Sequence, residues 1–544
     1  MRIPYAFLFL FILSTWTLNA QTVSSKEITY EIGTPYPVVD AQSKDYFERN
    51  GTVITVKVRK KDIVIQKLDA ASLKFQSVRI YNDLPKDFVQ ESILQIQGRL
   101  YYFYSVWDRS KETEQLFYRE IDFEKGTFTS SGKILVKVRG KVTGTLAQKG
   151  FSIGYSGISV VDKFDLYTSA DESKVLVKYR KKPKKRNDDI SHDVIGFHVF
   201  DQSLEKLWSK EARMPYTEKK MNNLDYAVDA FGNGYMMTTV YLDNSTKLFK
   251  KDGSSNYRME LLKIDATSNE LSKHKIGSEN KFVTGVAMYE ASKGEIICAG
   301  YYNDDGRDES DAKGVFTTRL NNDGALEPLS TYEIPLEVLN QYVSKSRQTK
   351  NSKGKGGEFR NLEVRNLITD DQGGVVIIGE QYYLVSNTTA FNNSTSTSFT
   401  YYYNDILITR INPDGTLEYM RKLPKQQRGT AGKGGLSFQY FFKNGFHYML
   451  YLDHIENLDA PMDSRLPGVH RDGAGGYLTA YRVDDLSGEV DKISILNMRD
   501  VPQVKSKELY QFSVNRILNL SEDEFVIEFY KKKKEDVLVK FSIN

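Results

Sequence analysis

The sequence predicts an all-β fold made of eight repeats of a four-stranded antiparallel unit. Short runs rich in Val, Ile, Tyr, Phe and Thr alternate with clusters of Gly, Asn and Asp, and two turn patterns recur in step along the chain. The 544 residues have a globular composition, with 40% hydrophobic and 27% charged residues. Because 75 Lys and Arg nearly balance 71 Asp and Glu, a generally basic nucleic-acid-binding protein is disfavoured.

The first pattern is a turn followed by an apolar strand. Its eight copies are NGTVITVKV (50–58), QGRLYYFYSVW (97–107), ESKVLVKYR (172–180), GNGYMMTTVYL (232–242), SKGEIICAGYY (292–302), QGGVVIIGEQYY (372–383), KNGFHYMLYL (443–452) and EDEFVIEFY (522–530).

The second pattern is a strand that ends in an apolar residue plus Asp or Asn, followed by a turn and another strand. Asp and Asn tolerate the backbone conformations of tight turns, so this pattern is typical of hairpins. The recurring positions are Asp69, Asp122, Asp201, Asp265, Asn321, Asn412, Asp484 and Asn544.

Each period therefore holds about four strands, named a to d from the start of the unit. The first pattern opens strand b, and the second joins strand c to strand d. Radially repeated four-stranded units are typical of β-propellers, and nearly the whole chain after residue 20 resembles one. We predict a single propeller of eight blades. Seven blades, or two stacked β-sandwiches, are the alternatives.

No propeller subfamily is indicated by the repeats. The sequence has no series of WD dipeptides and no repeated double glycine of the kelch kind, and its three tryptophans cannot supply tryptophan-docking repeats.

The two chain ends predict how the ring closes. The last repeat stops at KFSIN (540–544), where strand c ends, so it lacks a strand d of its own. Near the other end, KEITYEI (26–32) alternates polar and apolar residues as a strand would. We expect this segment to be the missing outer strand, because an unclosed array would expose strand edges.

Residues 1–20 have the layout of a secretory signal peptide: an Arg, an apolar stretch and a small residue, Ala20, at the expected cleavage site. A membrane anchor is the alternative. The domain boundaries are thus residues 1–20 for the signal peptide and 21–544 for the propeller, which is expected to be secreted or periplasmic. Cys298, the single cysteine, is expected to be a buried small apolar residue.

No catalytic residue is predicted. GFSIG (150–154) matches the nucleophile-elbow pattern around Ser152, but that elbow requires a strand-to-helix turn that the surrounding sequence does not indicate. Tyrosines recur near the ends of the b strands, where packing in the core is favoured over stacking on sugars. They are Tyr104, Tyr179, Tyr241, Tyr301, Tyr302, Tyr382, Tyr383, Tyr451 and Tyr530.

No cofactor and no metal are predicted. His454 and His470 flank a loop that contains Asp459, Asp463 and Asp472, which leaves an adventitious metal site as an alternative. The acidic segment 303–311 lacks the spacing of a known calcium loop.

The inter-strand connections differ in length, and this asymmetry is the main functional clue. In an antiparallel blade the a–b and c–d turns lie at one end, whereas the b–c and d–a loops lie at the other. The former are short and acidic here, and the latter are long, so binding residues are expected among the long loops. These loops are residues 180–191, 243–256, 303–313, 340–360, 385–398, 424–435 and 454–474.

The long loops also look basic. Residues 340–360 and 421–435 each have a net charge of +5, residues 180–189 have +4, and residues 531–536 have +2. These lysines and arginines either solvate loops and guard strand edges, or attract an anionic partner. The predicted binding residues are Arg180, Lys181, Lys182, Lys184, Lys185, Arg186, Lys345, Arg347, Lys350, Lys353, Lys355, Lys425, Arg428 and Lys433.

The functional hypothesis is an exported, non-enzymatic binding or scaffold module of the cell envelope. Its expected partners are an acidic protein surface, an anionic polysaccharide or lipid head groups, and no nucleic acid. The alternative is a carbohydrate-active hydrolase or lyase with carboxylates at the central channel. A buried pair of carboxylates at the channel mouth would favour this alternative, and an open or apolar channel would favour the binding module.

Overall fold

In the computed structural model, eight antiparallel sheets follow one another along the chain and form a single eight-bladed β-propeller, as predicted. The structure describes residues 28–544 except 42, 60, 144–162, 183–189, 246, 253, 269, 278–280, 293, 305–310, 354–358, 392–393, 431–434, 459–466, 500, 502–508, 512–516, 522 and 532–533.

The first four blades are regular. After β1 (Ile28–Ile32) and β2 (Tyr36–Pro37), blade 1 contains β3 (Ser43–Arg49), β4 (Thr52–Arg59), β5 (Asp62–Asp69) and β6 (Lys74–Tyr81). Blade 2 contains β7 (Val89–Ile96), β8 (Arg99–Asp108), β9 (Thr113–Asp122), β10 (Thr127–Phe128) and β11 (Lys133–Arg139). Blade 3 contains β12 (Val142–Thr143), β13 (Asp165–Thr168), β14 (Lys174–Lys181), β15 (His192–Asp201) and β16 (Lys206–Thr217), and a 3-10 turn (Glu218–Lys220) follows it. Blade 4 contains β17 (Met221–Val228), β18 (Gly234–Tyr241), β19 (Tyr257–Ile264) and β20 (Leu271–Ile276).

The second half carries more additions. Blade 5 contains β21 (Phe282–Ser292), β22 (Glu295–Asn303), β24 (Gly314–Leu320) and β25 (Ser330–Glu333), with the short β23 (Asp311–Ala312) outside it. The helices α1 (Leu336–Asn340) and α2 (Lys345–Ser352) and the short β26 (Phe359–Arg360) precede blade 6. Blade 6 contains β27 (Leu362–Thr369), β28 (Val375–Phe391), β29 (Ser394–Ile411) and β30 (Leu417–Leu423), and is followed by β31 (Gln427–Gly429). Blade 7 contains β32 (Gln439–Lys443), β33 (Phe446–Asp453), β35 (Tyr477–Asp484) and β36 (Val490–Asn497), with a 3-10 turn (Ile455–Asn457) and β34 (His470–Arg471) between its middle strands. The last four strands are β37 (Leu509–Gln511), β38 (Ile517–Asn519), β39 (Glu524–Lys531) and β40 (Glu535–Ile543).

The termini close the ring as predicted. Strand β1 pairs antiparallel with β40, from Ile28 opposite Ile543 to Ile32 opposite Val539. Blade 8 therefore takes its outermost strand from the start of the chain and its inner strands from the end. This pairing covers the edge that β40 would otherwise expose.

Eight hydrophobic clusters separate the eight blades, one between each neighbouring pair, including blades 8 and 1. Successive residues of a b strand point to opposite neighbours: Ile297 packs toward blade 6, whereas Ile296 and Cys298 pack toward blade 4. Because both faces of each inner strand are buried, these strands read as continuous apolar runs in the sequence. This closed series of interfaces excludes two stacked sandwiches.

The recurring Asp residues shape the c–d turns. Asp69, Asp201 and Asp484 each accept a hydrogen bond from the backbone N–H two or three residues later, at 2.7 to 2.8 Å. A carboxylate that caps its own turn in this way explains why Asp or Asn recurs at this point of the repeat.

A buried polar cluster joins blade 8 to blade 1 beside the closing strand. The Lys57 Nζ lies 2.7 Å from Glu528 Oε2 and 3.3 Å from Asp536 Oδ2, and all three side chains are inaccessible to solvent. The hydroxyls of Tyr36 and Tyr46 donate to Glu528. Burial raises the pKa of Glu528, but Lys57 and the two tyrosines outweigh burial, so the pKa lies well below its usual range.

Candidate functional site on the loop face of blades 5 to 7

The two ends of the propeller differ as the sequence predicts. We call the end with the a–b and c–d turns the short-turn face and the end with the b–c and d–a loops the loop face. On the loop face, the additions that contain secondary structure are concentrated on blades 5 to 7. They are residues 334–361, 382–403, 424–438 and 454–476.

A helical insertion between blades 5 and 6 presents lysines to solvent. Val338 and Leu339 of α1 are buried in the cluster between the two blades and anchor the insertion. The Ser344 side chain caps α2 by accepting from the Arg347 backbone N–H at 3.3 Å. From this anchored position α2 and the residue after it expose Lys345, Lys350 and Lys353.

A long β-hairpin extends from the b–c connection of blade 6. Strands β28 and β29 remain paired from Val375 opposite Ile411 out to Phe391 opposite Ser394. We call residues 384–400 the arm. At its base the rings of Tyr383 and Tyr402 stack at 4.6 Å with an interplanar angle of 8°. The sequence predicted a loop over 385–398, so the hairpin is a correction.

Two short strands brace the base of the arm. Strand β31 pairs with β29, with Tyr401 opposite Gly429 and Tyr403 opposite Gln427. Strand β34 of blade 7 adds in parallel to β31, with Gln427 opposite His470. The extended sheet thus spans the loop faces of blades 6 and 7 and fixes the direction in which the arm leaves the propeller.

A buried ionic cluster lies beneath this braced region. The Glu380 carboxylate contacts Lys425 Nζ at 2.7 Å and Arg365 Nε at 2.9 Å, and it accepts from the Ser437 hydroxyl at 2.7 Å. Lys425 also donates to the Tyr403 carbonyl at 2.9 Å. Burial lowers the pKa of the Lys425 ammonium, and Glu380 opposes this effect. The cluster ties the 424–438 segment to blade 6.

The prediction that Lys425 belongs to an exposed basic surface is therefore wrong. Its side chain has no solvent-accessible area, and its charge is neutralised by Glu380. Sequence reasoning counted Lys425 with its neighbours by charge alone and missed Glu380. A single carboxylate within the apolar run VVIIGEQYY is the signal that could have identified a buried ion pair.

Glu363 lies beside this cluster on β27, the innermost strand of blade 6. Its carboxylate is 3.3 Å from Arg365 Nη1, and about a third of its side chain (35%) is exposed. Burial raises its pKa to about 7, with Arg365 opposing and Glu380 assisting the shift. Innermost strands of other blades also carry carboxyl groups whose pKa burial raises: Asp225, whose pKa rises to about 6, and Asp45 and Glu290.

The predicted basic residues of blade 3 are partly neutralised. Arg180 contacts Asp193 at 2.8 Å and Glu218 at 2.5 Å, and Lys181 contacts Glu211 at 2.6 Å. Lys182 is exposed, Arg347 lies on α2, and Arg428 is half-buried on β31. The remaining predicted residues lie outside the described residues: Lys184, Lys185, Arg186, Lys355 and Lys433.

Few of the other residues considered as candidate metal or catalytic groups lie close together in the described part of the chain. His470 is buried, which lowers its pKa to about 4, whereas His454 is half-exposed. Among the described residues no group of three or more His, Cys, Asp or Glu side chains could hold a metal ion. Ser152, Asp459, Asp463 and most of the acidic segment 303–311 lie outside the described residues.

The recurring tyrosines are packing residues in most blades. Tyr104, Tyr179 and Tyr301 are at most 4% exposed. Each ring lies against a glycine, at positions 132, 196 and 379 respectively, where a Cβ atom would come within 2.1 Å of the ring or its hydroxyl. Cys298 is fully buried, as predicted, and burial raises the pKa of its thiol.

The chain resembles solved propeller structures at about 10% sequence identity. No protein family model and no curated protein is similar to this sequence. The solved structures that resemble the chain include the Dos1 propeller (10% identity, TM-score 0.37, covering 94% of this chain and 95% of that one) and the WD40 domain of SCAP from fission yeast (9% identity, TM-score 0.35, covering 94% and 98%). The β-propeller domain of the Trilobed protease from Pyrococcus furiosus is similar as well (10% identity, TM-score 0.33, covering 86% and 100%).

Across the described residues, the structure has no helix that is long and apolar enough to cross a membrane. The chain is an eight-bladed β-propeller that resembles other propellers in fold, without a named subfamily.

Proposed function

We propose that this protein is an exported, non-enzymatic binding propeller of the cell envelope that engages an acidic or anionic partner through the loop face of blades 5 to 7. The observation that carries the proposal is the exposed charge of α2. Residues 338–353 contain four basic and no acidic residues, and α1 anchors them on the propeller. A rigid scaffold that presents mobile, like-charged side chains favours capture of an anionic surface.

Ion pairs formed by other basic residues of the loop face support the assignment of the binding charge to α2. Basic residues of blade 3 and of the 424–438 segment are matched by carboxylates at 2.5 to 2.8 Å. A matched pair contributes little to long-range attraction, so these paired residues add less to the field of the loop face than the exposed lysines of α2 and Lys182 do.

The export part of the proposal rests on residues 1–20. If they are a cleaved signal peptide, mass spectrometry of the protein from a secreting host would find a mature chain that begins at Gln21.

An enzymatic function remains the second candidate because of Glu363. A carboxyl group with a pKa near 7 on the innermost strand has the property of a general acid at neutral pH. A glycosidase also needs a second accessible carboxylate. Glu380, the carboxylate that acts on Glu363 electrostatically, is fully buried against Lys425 and Arg365. We therefore place the binding function first.

The binding proposal is tested with Lys345, Lys350 and Lys353 changed together to Gln. Immobilised polyglutamate serves as the probe for an acidic protein surface, and polygalacturonate and vesicles of anionic phospholipid are tested beside it. We expect wild-type binding to weaken as salt rises, and the triple variant to bind several-fold more weakly, mainly through a slower association rate.

The control changes Lys74 and Lys206, which are exposed at the short-turn face, to Gln. Both variants should melt within about 1 °C of wild type because exposed charges contribute little to stability. Equal binding by wild type, triple variant and control to all three probes would overturn the proposal. Loss of binding in the control alone would assign the site to the other face.

A further inference from the structure

We propose that the arm of blade 6 is a self-association site, at which the outer edge of β28 pairs antiparallel with the same edge of a second copy of this chain. The inference rests on the arm and is independent of the basic residues of α2.

In the described part of the chain, the sheet topology leaves this edge without a partner strand. Strand β27 pairs with β28 from Thr369 opposite Val375 to Leu362 opposite Gln381. The last backbone hydrogen bond on this side joins the Tyr382 N–H to the Asn361 carbonyl at 2.9 Å. Beyond it β28 continues to Phe391 with β29 as its only paired strand in the described part of the chain. Residues 384–391 therefore offer a row of backbone donors and acceptors on one side.

The base of the arm is solvated on both faces of the ribbon. Leu384 and Val385 are neighbours and so point to opposite faces of the ribbon, yet they are 46% and 37% exposed. Phe399 on the other strand is 38% exposed. A solvated two-stranded ribbon is only marginally stable in water, so a further strand would stabilise it.

The arm also lacks the features that normally protect a strand edge. Charged residues, prolines and bulges blunt such edges in most proteins. Outer strands elsewhere follow this rule, since β6 carries Lys74 and Arg79, and β11 carries Lys133, Lys137 and Arg139. Residues 384–400, in contrast, contain no charged residue, no proline and no glycine.

A second copy of the chain is the occupant that fits these properties. Two identical edges can pair antiparallel about a two-fold axis, with each residue meeting its counterpart reciprocally. The chain carries a net positive charge, but the neutral arm allows two copies to meet without charges facing each other at the contact. An acidic partner would gain nothing from an uncharged ribbon. Because the paired edge is short, a weak, concentration-dependent dimer is expected.

The first test is sedimentation equilibrium of the mature chain over a concentration series. We expect the average mass to rise from one chain toward two. In a matched variant, residues 386–399 are replaced by Asn-Gly, which joins Val385 to its pairing partner Thr400 through a two-residue turn and keeps the braced base. This variant should stay monomeric and melt like the wild type.

The second test is a scan of single cysteine substitutions across residues 384–391 under mild oxidation. It is practical because the native Cys298 is fully buried. If two copies pair antiparallel about a two-fold axis, a single cysteine at the axis should give the highest yield of disulfide-linked dimer. The yield should fall at positions on either side of the axis. As a control, Ile80→Cys on β6, where the native side chain is 58% exposed, should not cross-link.

A wild-type chain that stays monomeric throughout the series would overturn the proposal. Dimerisation of the shortened variant, or cross-linking yields that do not depend on position, would overturn it as well.

Discussion

At the scale of single residues, this propeller buries several ionisable groups at blade junctions in ion pairs. Lys57 with Glu528, and Lys425 with Glu380, are pairs without solvent access. Removing one partner of such a pair leaves a buried charge, so these residues are expected to tolerate change poorly. Charge counting along the sequence cannot separate them from exposed lysines, because burial is decided by strands that are distant in the chain.

Glu363 is predicted to contribute to stability in a way that depends on pH. Its pKa is about 7 in the folded protein, against an ordinary value of 4.5. Between these values the folded chain binds more protons than the unfolded chain, so this group makes stability fall as pH rises through that window. Glu363→Gln removes the effect. We expect the melting temperature of the variant, relative to wild type, to be higher at pH 8 than at pH 5.

Differential scanning calorimetry of both proteins at the two pH values measures this difference. Glu120→Gln, which removes a carboxyl group from a partly exposed pair with Arg99, is the control. A relative melting temperature for Glu363→Gln that does not change with pH would contradict the raised pKa.

At the scale of elements, the regular strands could be predicted and the loop-face additions could not. Both faces of the b and c strands are buried between blades, so their apolar runs and capped turns appear directly in the sequence. Helix α2 has the sequence KSRQTKNS, which has no apolar face, and it depends on the Ser344 cap and on the contact of Asn351 with Asn340 at 2.9 Å. The arm is rich in Ser, Thr and Asn, a composition shared with loops.

The closing strand gives a prediction at this scale. Deleting residues 21–34 removes β1 and exposes the edge of β40, so we expect a broadened thermal transition or aggregation. Deleting residues 21–26 alone, which precede β1, should leave the melting curve unchanged. Circular dichroism melting with light scattering measures both effects. Identical melting of the two truncated chains would mean that terminal pairing contributes nothing to stability.

At the scale of the whole molecule, contacts between neighbouring turns connect the blades around the short-turn face. Arg410 bridges Asp370 of blade 6 and Asp485 of blade 7, at 2.9 and 2.6 Å. The Glu290 carboxylate accepts from the backbone N–H groups of Ala170 in blade 3 and Ala230 in blade 4, both at 2.8 Å. One side chain of blade 5 thereby holds turns of two preceding blades.

Glu290→Ala tests how far this connection stabilises the ring. It removes the acceptor of the Ala170, Ala230 and Gly294 backbone N–H groups, so we expect a loss of about 2–4 kcal/mol in the free energy of unfolding. Urea denaturation followed by tryptophan fluorescence measures the loss. Glu120→Ala, at an exposed pair, should cost less than about 1 kcal/mol. Equal effects of the two substitutions would show that the turns are held by other contacts.

The pairing of β1 with β40 also sets an order of events in time. Ile28 pairs with Ile543, 515 positions later, so β1 is synthesised long before its partner β40 is available. Such distant contacts add little to the equilibrium cost of folding, but they delay its completion. Blades 1 to 7 can assemble as the chain emerges, whereas blade 8 stays incomplete until both ends are present. The ring can therefore close only after β40 has been made, whatever the order in which the other blades fold.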